Sequence, residues 1–306
     1  MTSIGHSRES FRVGIIGVGM IGAAVAQRFI DCGHRLSLYN RSPEKLRPLV
    51  DQGAVATASA AEAARGCDFV ITCVNTVDIV RSVTVGQGGV ADTMAPPAVL
   101  IDMSSIDPVS TRQLSRELHD RCQVAWVDAP LSGGAAKALK GQLTVMAGGD
   151  TEAVNRAHAL MQDLCANYTH MGPSGAGQTT KLVNQVLCAL GFQAMAEAVR
   201  LAEMGGVDAS VLAEALRGGR ADSSILQEFA PQMAARNYLP TGSLNNMLKD
   251  LTGAQSLAHS VGLSLPLTST AGQVYRSLVD AGLGTAQVAE LMRQFDSTQD
   301  GTERRA

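Results

Sequence analysis

Phe11 to Gly22 reads FRVGIIGVGMIG, an apolar run that ends in glycine and passes directly into a glycine-spaced turn. A short continuous apolar run of this kind is expected of a parallel strand buried on both faces. Gly17-Val18-Gly19-Met20-Ile21-Gly22 follows, and an alanine-rich helical stretch continues to Cys32. G-x-G-x-x-G alone occurs in many settings, but after a strand and at the start of a helix it predicts a dinucleotide-binding turn. Gly17 would permit the tight turn, Gly19 would let a pyrophosphate approach the backbone, and Gly22 would let the helix sit close to the sheet. The helix N-terminus then offers free N–H groups to the phosphates. The plainer alternative is a glycine turn that serves packing only.

His34 to Asn40 is the next expected strand. A dinucleotide without a 2′-phosphate asks for an acidic residue about 20 residues past the glycines, to hold the ribose hydroxyls. Asn40-Arg41-Ser42 stands there instead. Asn40 is neutral, and the Arg41 guanidinium fork can pair with a phosphate. The expected cofactor is therefore NADP(H), with NAD(H) the second possibility if Arg41 is only a surface arginine. Strand–helix units continue through a short helix over 43–53, broken at Pro48, and through strands at 68–74 and 99–103. Residues just past strand ends line the ligand crevice of an open parallel sheet, which makes Val74, Asn75 and Ser105 cofactor neighbours or, on the alternative reading, loop caps.

A further strand at 124–128 leads into Ala129-Pro130-Leu131-Ser132-Gly133-Gly134-Ala135. Ser132-Gly133-Gly134 exposes N–H groups where a short helix over 135–139 is expected. A hydroxyl beside free amides suits a carboxylate, against a plain turn before a helix. Strands at 143–149 and 166–171 close the domain. Between Gly172 and Gly206 a run of helix formers predicts one helix of about 28 residues, about 40 Å long. Between Gln178 and Ala196 its only charged residue is Lys181. A helix apolar on nearly every side is expected to be buried. Lys181 then either snorkels its ammonium to water or is desolvated, with a lowered pKa that lets it exchange a proton near neutrality. Asn184, three residues on, shares its face. Beyond Gly206 only helices are expected, over 208–217, 223–235, 243–261, 267–281 and 285–295. One of them carries Lys249, which either pairs with a neighbouring carboxylate or faces the cofactor.

The 306 residues suffice for two domains, and a net charge of −3 gives no electrostatic reason to expect nucleic acid or an anionic membrane as partner. Six scattered cysteines without C-x-x-C resemble neither a disulfide framework nor a zinc site, so reduced thiols in a cytoplasmic protein and no metal are expected. The polar N-terminus lacks an apolar core, so no signal peptide is expected. No run of eighteen apolar residues occurs, so no spanning helix is expected either.

Four blocks together resemble the β-hydroxyacid dehydrogenase family, which includes 3-hydroxyisobutyrate dehydrogenase and tartronate semialdehyde (2-hydroxy-3-oxopropionate) reductase. They are Gly17 to Gly22; Asp128 to Gly134 with Gly141 and Gly148-Gly149; Gly175 to Gln185; and Lys249-Asp250-Leu251. The likeness runs from about Phe11 to Phe295. It implies an α/β fold with a Rossmann-type, doubly wound parallel sheet over 11–172. An all-helical domain over 173–296 would follow, starting with the long interdomain helix, with disordered tails over 1–10 and 297–306. It implies Lys181 as general acid/base, Ser132, Gly133, Gly134 and Asn184 on the substrate, and Lys249 near the nicotinamide end of the cofactor. Ile101 to Ile106, Leu216 to Gly219 and Leu265 to Thr268 look closest to the tartronate semialdehyde reductase branch. Imine reductases share the architecture but replace the lysine. In the related 6-phosphogluconate dehydrogenases the helix asparagine comes four residues after the lysine, where this chain has Gln185. The expected function is NADP-preferring reduction of a short semialdehyde, by hydride transfer, in a homodimer or homotetramer. The alternatives are NAD-dependent oxidation of the 3-hydroxyisobutyrate type and a catalytically silent nucleotide-binding module.

Overall fold

The computed structural model describes residues 10–240 and 242–298. Residues 1–9 and 299–306, most of the two tails expected to be disordered, lie outside the described residues. The chain clusters into two compact units, Met1–Lys181 and Leu182–Ala306, and the division falls inside the long helix Ala176–Met204.

The first unit is built on a nine-stranded sheet in the order β3-β2-β1-β4-β5-β6-β8-β7, with β9 also paired to β8. β1 (Arg12–Ile16) lies between β2 (Arg35–Tyr39) and β4 (Phe69–Thr72), parallel to both. β3 (Val55–Ala56), β5 (Val99–Asp102) and β6 (Ala125–Asp128) extend the parallel part. β7 (Leu131–Ser132) and β8 (Leu143–Gly148) run antiparallel to their partners, while β9 (Cys165–Gly172) is parallel to β8. The central strands read as continuous apolar runs because both faces carry a core. Val13, Ile15, Phe69, Ile71, Val99, Ile101 and Val127 pack on one side with the helix Met20–Asp31. Ile16, Val70, Leu100 and Trp126 pack on the other with the helix Pro108–Cys122. Period-two alternation delivers successive side chains to opposite cores.

The expected helix over 43–53 is a 3₁₀ turn, Pro43–Leu46, running into a short α-helix, Arg47–Val50, with Pro48 in its first turn, where a missing N–H costs nothing. β3 and β7, two residues each, escaped the sequence reading because they are too short for periodicity to register.

In the second unit, Ser224–Ala235, Leu244–Ser260 and Pro266–Leu278 are α-helices, and 3₁₀ turns stand at Ala209–Val211 and Val288–Thr298. Phe192 and Phe229 meet edge to face at 4.7 Å in a core with Tyr275, Leu291 and Met292. Ser223 and Ser243 cap their helices by accepting from Leu226 N and Asn246 N.

The long helix corrects the expectation that it is buried on nearly every side. Val183, Leu187, Leu201 and Met204 are 55%, 68%, 75% and 71% exposed, so its apolar composition does not bury it within a single chain. Gln and Asn break its apolar runs, yet by length and composition the helix is apolar enough to cross a membrane, which the eighteen-residue rule did not register.

Candidate active site

The glycine turn sits between β1 and the helix that begins at Met20. Gly17 holds φ 96°, and a side chain there would run into the Cys73 carbonyl; one at Gly22 would run into the carbonyl of Gly17. A Cβ at Gly19 would meet nothing within 4 Å. The turn is closed on two sides and open at the middle glycine, as a cradle for a pyrophosphate must be. Met20 is 67% exposed at the same edge, with Ile21 half-buried behind it.

Asn40 closes the turn from β2. Its Oδ1 accepts from Val18 N at 3.0 Å, its Nδ2 donates to Ser42 O at 2.9 Å, and Gly17 N donates to Tyr39 O. The residue where an acid would hold ribose hydroxyls thus braces the phosphate turn, leaving Arg41, which is exposed, and Ser42 as the outward groups.

A buried polar network runs along the strand ends. Val74 N donates to Ser104 Oγ at 3.1 Å, and Ser104 N and Thr72 Oγ1 both donate to Asp102 Oδ1, at 3.0 and 2.8 Å. Ser104 is therefore tied to Val74, while of the expected cofactor neighbours Val74 and Ser105 are half-buried and Asn75 is exposed. Asp102 is fully buried, its Oδ2 has no hydrogen-bond partner among the described residues, and burial pushes its carboxyl up to about 6. Burial likewise pushes the Cys73 thiol, beside the glycine turn, up to about 12.

Asp128, opposite Asp102 in the β5–β6 register, captures the start of the long helix. Its Oδ1 accepts from Gly175 N at 2.8 Å and its Oδ2 from Gln178 N at 3.0 Å. Burial raises its pKa, and these N–H groups pull it back. Gln178, itself buried, donates through Nε2 to Ser104 O at 2.7 Å. The strand that ends at Asp128 continues into the Ser132 loop, so one short segment both seats the helix and presents the loop.

One turn past Gln178, Lys181 Nζ donates to Leu131 O at 2.8 Å. That contact brings the lysine to the residue next to Ser132-Gly133-Gly134. The lysine is half-buried, and its amine meets a backbone acceptor. Gly133 and Gly134 both hold positive φ, 126° and 69°. The helix after them, Gly134–Leu139, spans six residues, so any anion there is held by local N–H groups and the Ser132 hydroxyl rather than by a long dipole.

In the second unit, Asn184 Nδ2 donates to Gln185 Oε1 at 3.0 Å, and Gln185 Nε2 donates to Asp250 Oδ2 at 2.6 Å. Lys249 Nζ pairs with Asp250 Oδ1 at 3.3 Å, which matches the ion-pair reading, with its side chain 45% exposed. Sequence reasoning missed Asp102, Ser104, Asp128, Gln178 and Asp250 as site-shaping residues. An acid closing each of the apolar runs VLID and WVD was the available signal.

Residues 12–172 match the family model for the NAD-binding domain of 6-phosphogluconate dehydrogenase, and residues 175–295 that for the NAD-binding domain of NADP-dependent 3-hydroxyisobutyrate dehydrogenase. The chain is 33% identical to the NAD-dependent L-serine dehydrogenase of Pseudomonas aeruginosa, over 94% of this chain and 99% of that one. It is 31% identical to the 2-hydroxy-3-oxopropionate reductase of Escherichia coli, over 89% and 92%. Among solved structures, a 3-hydroxyisobutyrate dehydrogenase from Salmonella typhimurium superposes with a TM-score of 0.84 at 29% identity, covering 94% of this chain and all of that one.

Proposed function

The chain belongs to the β-hydroxyacid dehydrogenase family, NAD(P)-dependent oxidoreductases acting on a CH–OH group, and on that premise we propose that it is an NADP(H)-preferring semialdehyde reductase of the 2-hydroxy-3-oxopropionate type. The observation that carries this reading is Lys181 Nζ held 2.8 Å from Leu131 O, beside the Ser132-Gly133-Gly134 amides.

In the first unit, the N–H groups of Gly19, Met20 and Ile21 at the helix start would hold the pyrophosphate within the Gly17 to Gly22 turn, with Asn40 fixing that turn through Val18 N. Arg41 and Ser42 would take the 2′-phosphate, and Val74, Asn75 and Ser105 would neighbour the cofactor. When bound, the cofactor supplies or takes up the hydride at the carbinol carbon of the substrate. Ser132 Oγ with the N–H groups of Gly133 and Gly134 holds the substrate carboxylate, which turns the reacting oxygen to Lys181. In reduction the Lys181 ammonium gives a proton to that oxygen; in oxidation the amine takes the hydroxyl proton back. Asn184, one turn along the same helix, meets the substrate as well, and Lys249 serves the cofactor. A positioned acid or base of this kind contributes typically 10²–10⁴-fold.

The exposed positions Val183, Leu187 and Leu201, with half-buried Leu190 and exposed Ala194 between them, recur at helical spacing along one face. They support a homodimer or homotetramer with helix against helix.

A panel of short hydroxyacids and semialdehydes, run with NADP(H) and NAD(H), tests the function. Fastest turnover of 2-hydroxy-3-oxopropionate with NADPH is expected. Faster oxidation of 3-hydroxyisobutyrate or serine with NAD would replace this reading by the oxidative one, and silence on every member would remove the catalytic reading.

A further inference from the structure

Asn184 ends a chain of amides whose direction a buried carboxylate imposes. Asp250 is 7% exposed, and a carboxylate can only accept hydrogen bonds. It takes the Lys249 ammonium on Oδ1 at 3.3 Å and Gln185 Nε2 on Oδ2 at 2.6 Å. Gln185 therefore turns its NH₂ to Asp250, where the second N–H lies 3.9 Å from Met247 Sδ. Its Oε1 is left facing Asn184, which can answer only with Nδ2, at 3.0 Å. The other Asn184 N–H points to Cys188 Sγ at 3.6 Å. Both donors of the Asn184 amide are thus spent inside the protein. What remains is Oδ1, which makes no hydrogen bond among the described residues. Turning either amide over would set oxygen against oxygen.

We infer that Asp250 and Gln185 are positioning residues that make Asn184 a hydrogen-bond acceptor only, so that the site takes short 3-hydroxyacids carrying a second donor, a hydroxyl or an ammonium, at the neighbouring carbon. This rests on the reading above, in which Lys181 handles the proton of the reacting hydroxyl. A proton taken by Lys181 cannot also satisfy Asn184, whereas a donor one carbon away can. A substrate with a bare methylene or a methyl there strands an amide oxygen on closing out water, and a site built to pair a donor rejects the analogue that lacks it.

The test compares glycerate and serine with 3-hydroxypropionate, which differs from both in lacking the donor at C2. The full-length protein is assayed for kcat/KM with saturating NADP and NAD, and calorimetry in the presence of the oxidised cofactor gives dissociation constants. The better of the two donor-bearing acids should exceed 3-hydroxypropionate by about 10–100-fold, the difference lying in KM and Kd rather than in kcat. Asp250→Asn frees both amides to turn, and the ratio should fall to about threefold or less. Gln185→Leu, which cuts the chain while leaving Asp250 on Lys249, should do the same. Asn184→Asp combined with Asp250→Asn reverses the whole chain yet leaves an acceptor at position 184, so the ratio should recover in the double variant. A wild-type ratio near one, or a ratio that survives both single substitutions, overturns the inference while the family reaction stands. No turnover of any acid with either cofactor overturns both readings.

Discussion

Replacing Asp102 by asparagine isolates the electrostatic cost of a carboxylate sealed under the strand ends. Asp102 is fully buried; Thr72 and Ser104 donate to Oδ1, and Oδ2 has no hydrogen-bond partner among the described residues. Burial raises its pKa from 3.8 to about 6, opposed by those donors and helped by the neighbouring Asp128 charge. An acid whose pKa is higher in the folded than in the unfolded chain weakens the fold once it ionises. Below pH 3.8 nothing is lost; stability falls as pH rises between the two values, and the loss is complete above about 6. A rise from 3.8 to about 6 corresponds to about 3 kcal/mol in full, of which about 1 is already lost at pH 4.5. The amide introduced by Asp102→Asn does not titrate. The stability difference between Asp102→Asn and wild type should therefore move in the variant's favour by about 2 kcal/mol between pH 4.5 and 7.5. Its buried NH₂ group brings a pH-independent penalty, so the slope is the test and the offset is not. Urea unfolding read by fluorescence suits the measurement, because the single tryptophan, Trp126, is 3% exposed on β6, next to the strand that carries Asp102. Stability–pH curves of variant and wild type that run parallel over this range would refute the claim that position 102 holds a destabilising charge.

Three further outcomes follow from the same geometry. Lys181→Ala should lower turnover by about 10²–10⁴-fold while NADPH titration by fluorescence shows cofactor affinity largely kept; near wild-type turnover would remove the proton-transfer role. Arg41→Asp should reverse the cofactor order, raising KM for NADPH by about tenfold or more and leaving that for NADH almost unchanged; an unaltered preference would mean that the 2′-phosphate is held elsewhere. Asp128→Asn swaps one acceptor for a donor against Gly175 N or Gln178 N. It should cost about 1–3 kcal/mol in urea titration and lower kcat more than it raises KM, because Lys181 rides on the helix that Asp128 seats; an unchanged kcat would separate the cap from the chemistry.

Much of the first unit is legible in its sequence because parallel strands buried on both faces must be apolar throughout, and β1, β4 and β5 stand out as such runs. The glycine turn is legible for a different reason: Gly17 and Gly22 are required by contacts with Cys73 and with Gly17 itself, so position in the chain predicts position in space. The antiparallel pairing of β7 with β8 is not legible, since a two-residue strand carries no period.

The polar network is harder to read, because spacing places a side chain on a face while hydrogen bonding decides what that side chain is for. Ser104 and Ser105 are equivalent by composition, yet the bend after β5, tied by Ser104 N to Asp102 Oδ1, turns Ser104 inward, where its hydroxyl and carbonyl bind Val74 and Gln178. Lys181 and Asn184 were both visible from helical spacing. Their atoms were not: the amine lies on Leu131 O, and the Asn184 amide is turned by a carboxylate 66 positions along the chain, through Gln185. Sequence separation of that length is invisible to any local pattern. It is also what gives the arrangement its chemical direction: an asparagine in water presents donor and acceptor alike, whereas one tied through Gln185 to Asp250 presents only oxygen. Selectivity in such a site then depends less on which residue touches the substrate than on which buried charge stands two hydrogen bonds behind it.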